Sequence, residues 1–284
     1  MSAPAILDSF QTWLAEDLGE GDHTTLATIG PSVQGKSVLI AGGAGVLAGV
    51  QVALDFFQFV DPSIRLEVFK QDGERIHPDD IVFRLSGPAR SLLIGERVAL
   101  NLLQRMSGIA TLTDRYSKEL KGTKAVLLDT RKTTPGIRWA EKQAVIIGGG
   151  QNHRFGLFDR VLIKDNHIDH GGGVVAVLEA AQMYLREHRL NLPVEIEVRG
   201  LNELNEVLGY GKSFVNRVML DNFSVEQVRA AVVQIDGRLE TEVSGGIRLE
   251  NIRSYAETGV DFISVGALTH QATSVDLRLK TVIE

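Results

Sequence analysis

From about residue 125 onward, short apolar runs alternate with segments whose apolar residues recur every three or four positions. The runs are AVLLDT (125–130), RVLIKDN (160–166), PVEIEV (193–198), RVMLDN (217–222), LETEVSGG (239–246) and DFISVGAL (261–268). Their length and β-branched content predict strands, and their nearly continuous apolar character predicts cover on both faces. Between them, VVAVLEAAQMYLREH, LNELNEVLGY, SVEQVRAAVVQI and LENIRSYAETG predict helices, with Ser224 as a helix start. Strand and helix in alternation predict parallel βαβ units. Two closures stay open at this point: a barrel short of eight strands, and an eight-stranded one with two strands unrecognised.

The first hundred or so residues follow another pattern. A helix at 4–17 precedes a strand KSVLIA (36–41), the turn-rich GGAGVLAG (42–49) and a helix at 50–60. Strands RLEVFK (65–70) and IVFRLSG (81–87) then flank the turn Gln71-Asp72-Gly73, and a helix runs from about 89 to 106. This is an α+β pattern with hairpin-like strands. Two domains are therefore expected: an N-terminal α+β domain over 1–112 and a parallel α/β domain over 113–284, whose last residues are left free to return to the first. Gly43-Ala44-Gly45-Val46-Leu47-Ala48 fits G-x-G-x-x-A, but no βαβ unit follows it, so a glycine turn is the better reading than a dinucleotide site.

The 284 residues are 44% hydrophobic and 23% charged, enough apolar mass for one large core or two unequal ones. No apolar run approaches the length of a membrane span, and the first residues are acidic rather than a basic leader. The chain has no cysteine, which removes disulfides, thiolate zinc sites and cysteine nucleophiles and fits a cytoplasmic location. A net charge of -6 disfavours nucleic acid and anionic membrane as partners. The local distribution differs: Arg131, Lys132, Arg138, Lys142, Arg154, Arg160 and Lys164 share one span with only Glu141 and Asp159. A basic island in an acidic chain points to a small, strongly anionic ligand.

Nearly every predicted strand ends on chemistry. In order these ends carry Asp129 with Arg131 and Lys132, then Lys164, Glu197, Asp221, Ser244-Gly245-Gly246 and Gly266. Parallel βα units bring such ends to one mouth. Glycine turns there expose backbone N–H groups suited to phosphate, and Gly148-Gly149-Gly150 beside His153 and Arg154 allows close approach of a ligand. Glu197 and Asp221 suit Mg2+ held jointly with phosphate oxygens, or positive charge developing on a ribose, with plain ion pairing as the bland alternative. Arg97, set among apolar neighbours, has a structural salt bridge as its bland reading. The residues alone describe an enzyme for a phosphorylated substrate; a non-catalytic phosphate-ligand protein is the alternative.

The run Asp129-Thr130-Arg131-Lys132-Thr133-Thr134-Pro135-Gly136-Ile137-Arg138, with Gly148-Gly149-Gly150-Gln151-Asn152-His153-Arg154 and Leu162-Ile163-Lys164-Asp165-Asn166-His167, closely resembles the quinolinate phosphoribosyltransferase family. Glu96-Arg97-Val98-Ala99-Leu100-Asn101, Leu220-Asp221-Asn222, Ser244-Gly245-Gly246-Ile247 and Gly266-Ala267-Leu268-Thr269-His270 extend the likeness over nearly the whole chain. Gln143 and Val243 depart from the family pattern without touching a charge. The resemblance implies an incomplete α/β barrel of six to seven strands with an N-terminal open sandwich. It implies transfer of phosphoribose from 5-phosphoribosyl-1-pyrophosphate to quinolinate with loss of CO2 and with Mg2+. It further implies that Arg131, His153, Arg154 and Lys164 line the quinolinate pocket and that Lys132 and Lys164 face pyrophosphate. Glu197 and Asp221 would meet ribose and Mg2+, and Ser244, Gly245, Gly246 and Gly266 the 5'-phosphate. Arg97 would complete the site of a neighbouring subunit in a homodimer, with a higher assembly of dimers left open. A relative of this fold acting on nicotinate or another acid is the nearest rival.

Overall fold

β-Branched and aliphatic runs punctuated by glycine and proline form the strands of the computed structural model, which describes residues 3–283. In chain order these are β1 (Gln34–Ala41), β2 (Gly45–Val46), β3 (Arg65–Val68), β4 (Arg75–Ile76), β5 (Ile81–Pro88), β6 (Val126–Leu128), β7 (Val161–Ile163), β8 (Val194–Val198), β9 (Arg217–Asp221), β10 (Glu240–Ser244), β11 (Phe262–Ser264) and β12 (Leu277–Thr281). The chain forms two compact units, one of Met1–Asp114, Thr133–Gly149 and Leu268–Glu284, the other of Arg115–Lys132 and Gly150–Ala267. Neither unit is continuous in sequence.

The first unit carries an antiparallel sheet in the order β12-β1-β5-β3 and a small pair, β2 with β4. β12 joins β1 from Ser37↔Thr281 to Ala41↔Leu277, so the last strand of the chain extends the first. Phe10, Leu39, Phe56, Phe57, Phe83 and Leu103 are buried in its core, and Phe10 meets Phe56 edge-on with centroids 5.3 Å apart. The helix expected to stop near 106 runs over Ala89–Glu119 instead. Gly108 reads as a stop because glycine weakens a helix, but here it answers a close approach: a Cβ there would stand 2.2 Å from the Thr273 carbonyl oxygen. Within the basic island, Arg138–Ile147 forms a helix that the sequence reading left without an element. Its fully buried Glu141 accepts Arg105 at 2.8 Å and the Thr134 hydroxyl at 2.9 Å.

The second unit holds the parallel sheet, ordered β6-β11-β10-β9-β8-β7. Gln151 bridges to Leu128 on the outer side of β6 as a one-residue seventh position. Among the described residues no ladder joins Gln151 to β7, so the barrel is incomplete, with six strands, as expected. Helices Val174–Glu187, Leu201–Tyr210 and Val225–Ile235 lie between successive strands where their periodicity placed them. Ser224 caps the last in a capping box with Gln227.

The strands are not the continuous apolar runs expected. Alternation sets Val194, Ile196 and Val198 on one face of β8 and Glu195 and Glu197 on the other, while β10 turns Glu240, Glu242 and Ser244 one way and Thr241 and Val243 the other. Such charges persist inside because they are paired. Arg217 on β9 meets Glu240 at 2.9 Å and Glu242 at 2.8 Å, and its guanidinium lies 3.6 Å above the Phe262 ring. His153, beyond the β6 edge, reaches Glu195 on β8 and Glu242 on β10. The sheet therefore curls until its charged face is interior.

Candidate active site

The C-terminal ends of the parallel strands collect the chemistry of the second unit. Lys164 follows β7, and its Nζ binds the Glu197 carboxylate at the end of β8. Glu197 is 5% exposed, so the lysine neutralises a carboxylate largely removed from water. On β9, Asp221 stands in register with Ser244 of β10. Its Oδ2 accepts the Asn222 side-chain amide at 2.6 Å. Burial raises the Asp221 pKa; the Asn222 hydrogen bond, Lys164 and Lys132 oppose the rise, and Asp165 adds to it. The structure thus gathers Lys132, Lys164, Glu197 and Asp221, as the sequence led one to expect, and adds Asp165.

After β10 the chain turns through Gly245 (φ 91°) and Gly246 (φ 62°), conformations that side chains other than glycine's rarely adopt. Gly246 offers its carbonyl to Asn251 at 3.1 Å. Gly266 lies two residues beyond β11.

A second group forms around Arg154. Burial lowers the pKa of its guanidinium, and the charge of Arg131 lowers it further against the opposing pull of Glu195 and Asp159. Two partly buried arginines thus lie near enough for the charge of one to act on the other, an arrangement that an anion stabilises. His153 is directed otherwise than a pocket-lining group: its Nδ1 accepts the Arg154 backbone N–H at 2.7 Å, and its Nε2 faces Glu195 and Glu242.

Arg97 belongs to the first unit. It is exposed on the helix Ala89–Glu119 and makes no hydrogen bond or ion pair to the described residues, so the salt-bridge reading does not hold. A cleft of about 200 Å3 beside it is lined by Trp13, Glu16, Asp17, Asn101 and Arg105, among others.

The sequence reading missed Asp165, Asn222, Glu195 and Glu242. The two-residue spacing in Val-Glu-Ile-Glu-Val was the available signal for a second inward carboxylate on β8.

The profile of the quinolinate phosphoribosyl transferase C-terminal domain matches residues 109–280, and that of the N-terminal domain matches residues 22–107. The chain belongs to the quinolinate phosphoribosyltransferase family. An Arabidopsis thaliana relative, a chloroplastic nicotinate-nucleotide pyrophosphorylase [carboxylating], is 43% identical over 280 residues, spanning 94% of this chain and 80% of the relative. A Bacillus subtilis protein named as a probable enzyme of the same activity is 38% identical over 94% of this chain and 90% of its own length. The solved nicotinate-nucleotide pyrophosphorylase from Francisella tularensis superposes with a TM-score of 0.90 at 38% identity, covering 99% of this chain and 98% of that one. The resemblance carried by the motifs is thereby confirmed for the whole quinolinate phosphoribosyltransferase fold, both domains included.

Proposed function

We propose that this chain transfers phosphoribose from 5-phosphoribosyl-1-pyrophosphate to quinolinate, giving nicotinate mononucleotide, pyrophosphate and CO2. The observation that supports the reading is the placing of Arg131 where its charge acts on the partly buried Arg154, since a ligand with clustered negative charge relieves the repulsion that Glu195 and Asp159 only partly offset. Quinolinate offers two carboxylates, and planar guanidinium forks bind carboxylates bidentately. Lys164 adds a third cation to that pocket and, with Lys132, faces the pyrophosphate. Ser244, Gly245, Gly246 and Gly266 receive the 5'-phosphate.

Glu197 and Asp221 sit toward the ribose. Two carboxylates on neighbouring strand ends fit Mg2+, which takes one or two protein carboxylates and completes its shell with phosphate oxygens and water. When bound, Mg2+ would supply charge stabilisation to the pyrophosphate. The residues of the chain do the rest by position and field. Lys132 and Lys164 stabilise charge as pyrophosphate leaves, while the carboxylates stabilise the oxocarbenium-like ribose that the ring nitrogen attacks. Quaternised nitrogen then serves as an electron sink for loss of the adjacent carboxylate, once that group leaves its cationic contacts.

The proposal includes a homodimer in which Arg97 completes the neighbouring site, supported by its exposure and lack of a partner among the described residues. Mixing an Arg97→Ala subunit with one disabled at Lys164 should restore part of the activity. No helix among the described residues is long and apolar enough to cross a membrane, and the absence of cysteine supports a cytoplasmic location. The deciding assay offers quinolinate and nicotinate separately with phosphoribosyl pyrophosphate and Mg2+. Mononucleotide and CO2 from quinolinate are expected; product from nicotinate alone, or from neither, overturns the reading.

A further inference from the structure

No helix or strand covers residues 152–160, yet four successive backbone amides in that segment are held, each by a side chain. The His153 N–H donates to Asp129 Oδ1 at 2.8 Å, and that of Arg154 to His153 Nδ1 at 2.7 Å. Those of Phe155 and Gly156 donate to the two carboxylate oxygens of Asp159, at 2.6 and 2.9 Å. The backbone at Arg154 therefore owes its place to side chains, with the imidazole of His153 as the pin at its amide, while its guanidinium donates to the Arg160 carbonyl at 3.3 Å.

That pin works in one chemical state. An N–H aimed at Nδ1 needs a lone pair there, so the ring proton belongs on Nε2. Nε2 faces two fully buried carboxylates, Glu195 at 3.2 Å and Glu242 at 3.5 Å; Glu195 accepts its proton, while the near oxygen of Glu242 acts by its charge and takes no hydrogen bond. Two influences oppose each other at His153: burial disfavours the imidazolium, and the charges and hydrogen bonding of Glu195 and Glu242 favour it and push its pKa up. The short Arg154 contact decides against the charged form, because a proton on Nδ1 would set two N–H groups against each other. The surrounding charges agree: Arg160 takes Glu195 at 3.3 Å, and Arg217 takes Glu242 at 2.8 Å as well as Glu240 at 2.9 Å, so each of the two buried carboxylates already meets a cation.

The same three groups have their ligand atoms within 4.8 Å of one another, as a metal site would. A dication would leave this balanced interior with excess positive charge and would compete with both arginines for the carboxylates. Hydrogen bonding of a neutral imidazole to Glu195 holds the ring without either cost.

We propose that Glu195, with the charge of Glu242 beside it, is a positioning residue of the acid-binding pocket: it holds His153 as its Nε2–H tautomer, and His153 Nδ1 anchors the amide of Arg154. The inference rests on the reading of Arg154 as a substrate-binding residue. Its first test does not require activity. In unmodified protein labelled with 15N-histidine, long-range 1H–15N correlations, with His153 assigned by His153→Asn, should show a bare Nδ1 and a protonated Nε2 at neutral pH. An imidazolium or an Nδ1–H tautomer overturns the proposal, as does a stoichiometric zinc ion that survives dialysis and is lost in His153→Asn. In the second test, Glu195→Gln should raise KM for quinolinate on the order of tenfold, with KM for phosphoribosyl pyrophosphate held within about twofold. Equal rises in both reduce the cluster to a structural one. Absence of any turnover in the unmodified enzyme would instead defeat the functional reading, and leaves the tautomer measurement standing as the arbiter of this one.

Discussion

The side-chain oxygen of Asn222 lies 2.2 Å from the place where a Cβ on residue 245 would stand. Asn222 itself adopts left-handed backbone (φ 56°), donates its N–H to the Ser244 carbonyl at 2.9 Å and holds Asp221 through its amide. The carboxylate end of β9 and the glycine turn after β10 are thus packed as one piece, and each constrains the other. Gly245→Ala adds a clash to a φ of 91° that alanine tolerates poorly. Displacement near 1 Å at a reacting centre costs about 100-fold. A loss of that order in kcat/KM for phosphoribosyl pyrophosphate is expected, with quinolinate binding by calorimetry retained. Unchanged kinetics would separate this turn from the phosphate.

Lys164 and Glu197 should behave as a coupled pair. Removing the lysine leaves a buried carboxylate with its charge uncompensated, whereas removing both leaves no such charge. Lys164→Met, Glu197→Gln and the double variant, compared by urea unfolding, should give a coupling energy of about 0.5–3 kcal/mol. Strictly additive losses would show that the contact contributes nothing to the fold.

What the sequence made legible was local. Strands β6 to β11, the helices between them and the Ser224 cap follow from periodicity and capping chemistry, and Lys164, Glu197, Asp221 and Ser244 were placed because parallel units bring strand ends together. What it hid depends on distant partners. Glu195 and Glu242 look like interruptions in apolar runs until His153, Arg160 and Arg217 arrive from elsewhere in the chain. β12 is ordinary until Leu277 meets Ala41. The helix Arg138–Ile147 is hard to read locally because Arg138, Glu141 and Lys142 interrupt the apolar spacing of Ala140, Ala144 and Val145, which are buried.

Gly108 gives a prediction opposite in sign to helix propensity. At an ordinary position within a helix, alanine in place of glycine stabilises by roughly 1 kcal/mol. Here the new Cβ would lie 2.2 Å from the Thr273 carbonyl oxygen and 3.1 Å from the Ser274 Cα, both backbone atoms that cannot rotate away. Gly108→Ala should therefore destabilise, by about 1–3 kcal/mol as overpacked sites do. A raised thermal midpoint would show that Leu268–Glu284 yields at this contact.

Asp261 links β10 to β11 through charge and hydrogen bonds together. It accepts Lys124 Nζ at 2.7 Å, the Thr241 hydroxyl at 2.6 Å and the Thr241 N–H at 2.9 Å. Burial works to raise its pKa, but these partners prevail and hold it below the usual value. A carboxylate whose pKa is depressed by folding contributes stability in full above its unfolded value, about 3.9, and loses it as pH falls through the folded value. Asp261→Asn has no such charge to titrate. The difference in unfolding free energy between the two proteins should be constant from neutral pH down to about pH 5, then shrink as the wild-type carboxylate protonates. Urea titrations at stepped pH measure it directly, and curves that stay parallel into the acid range would show that hydrogen bonding alone, without the charge, secures the β10–β11 junction.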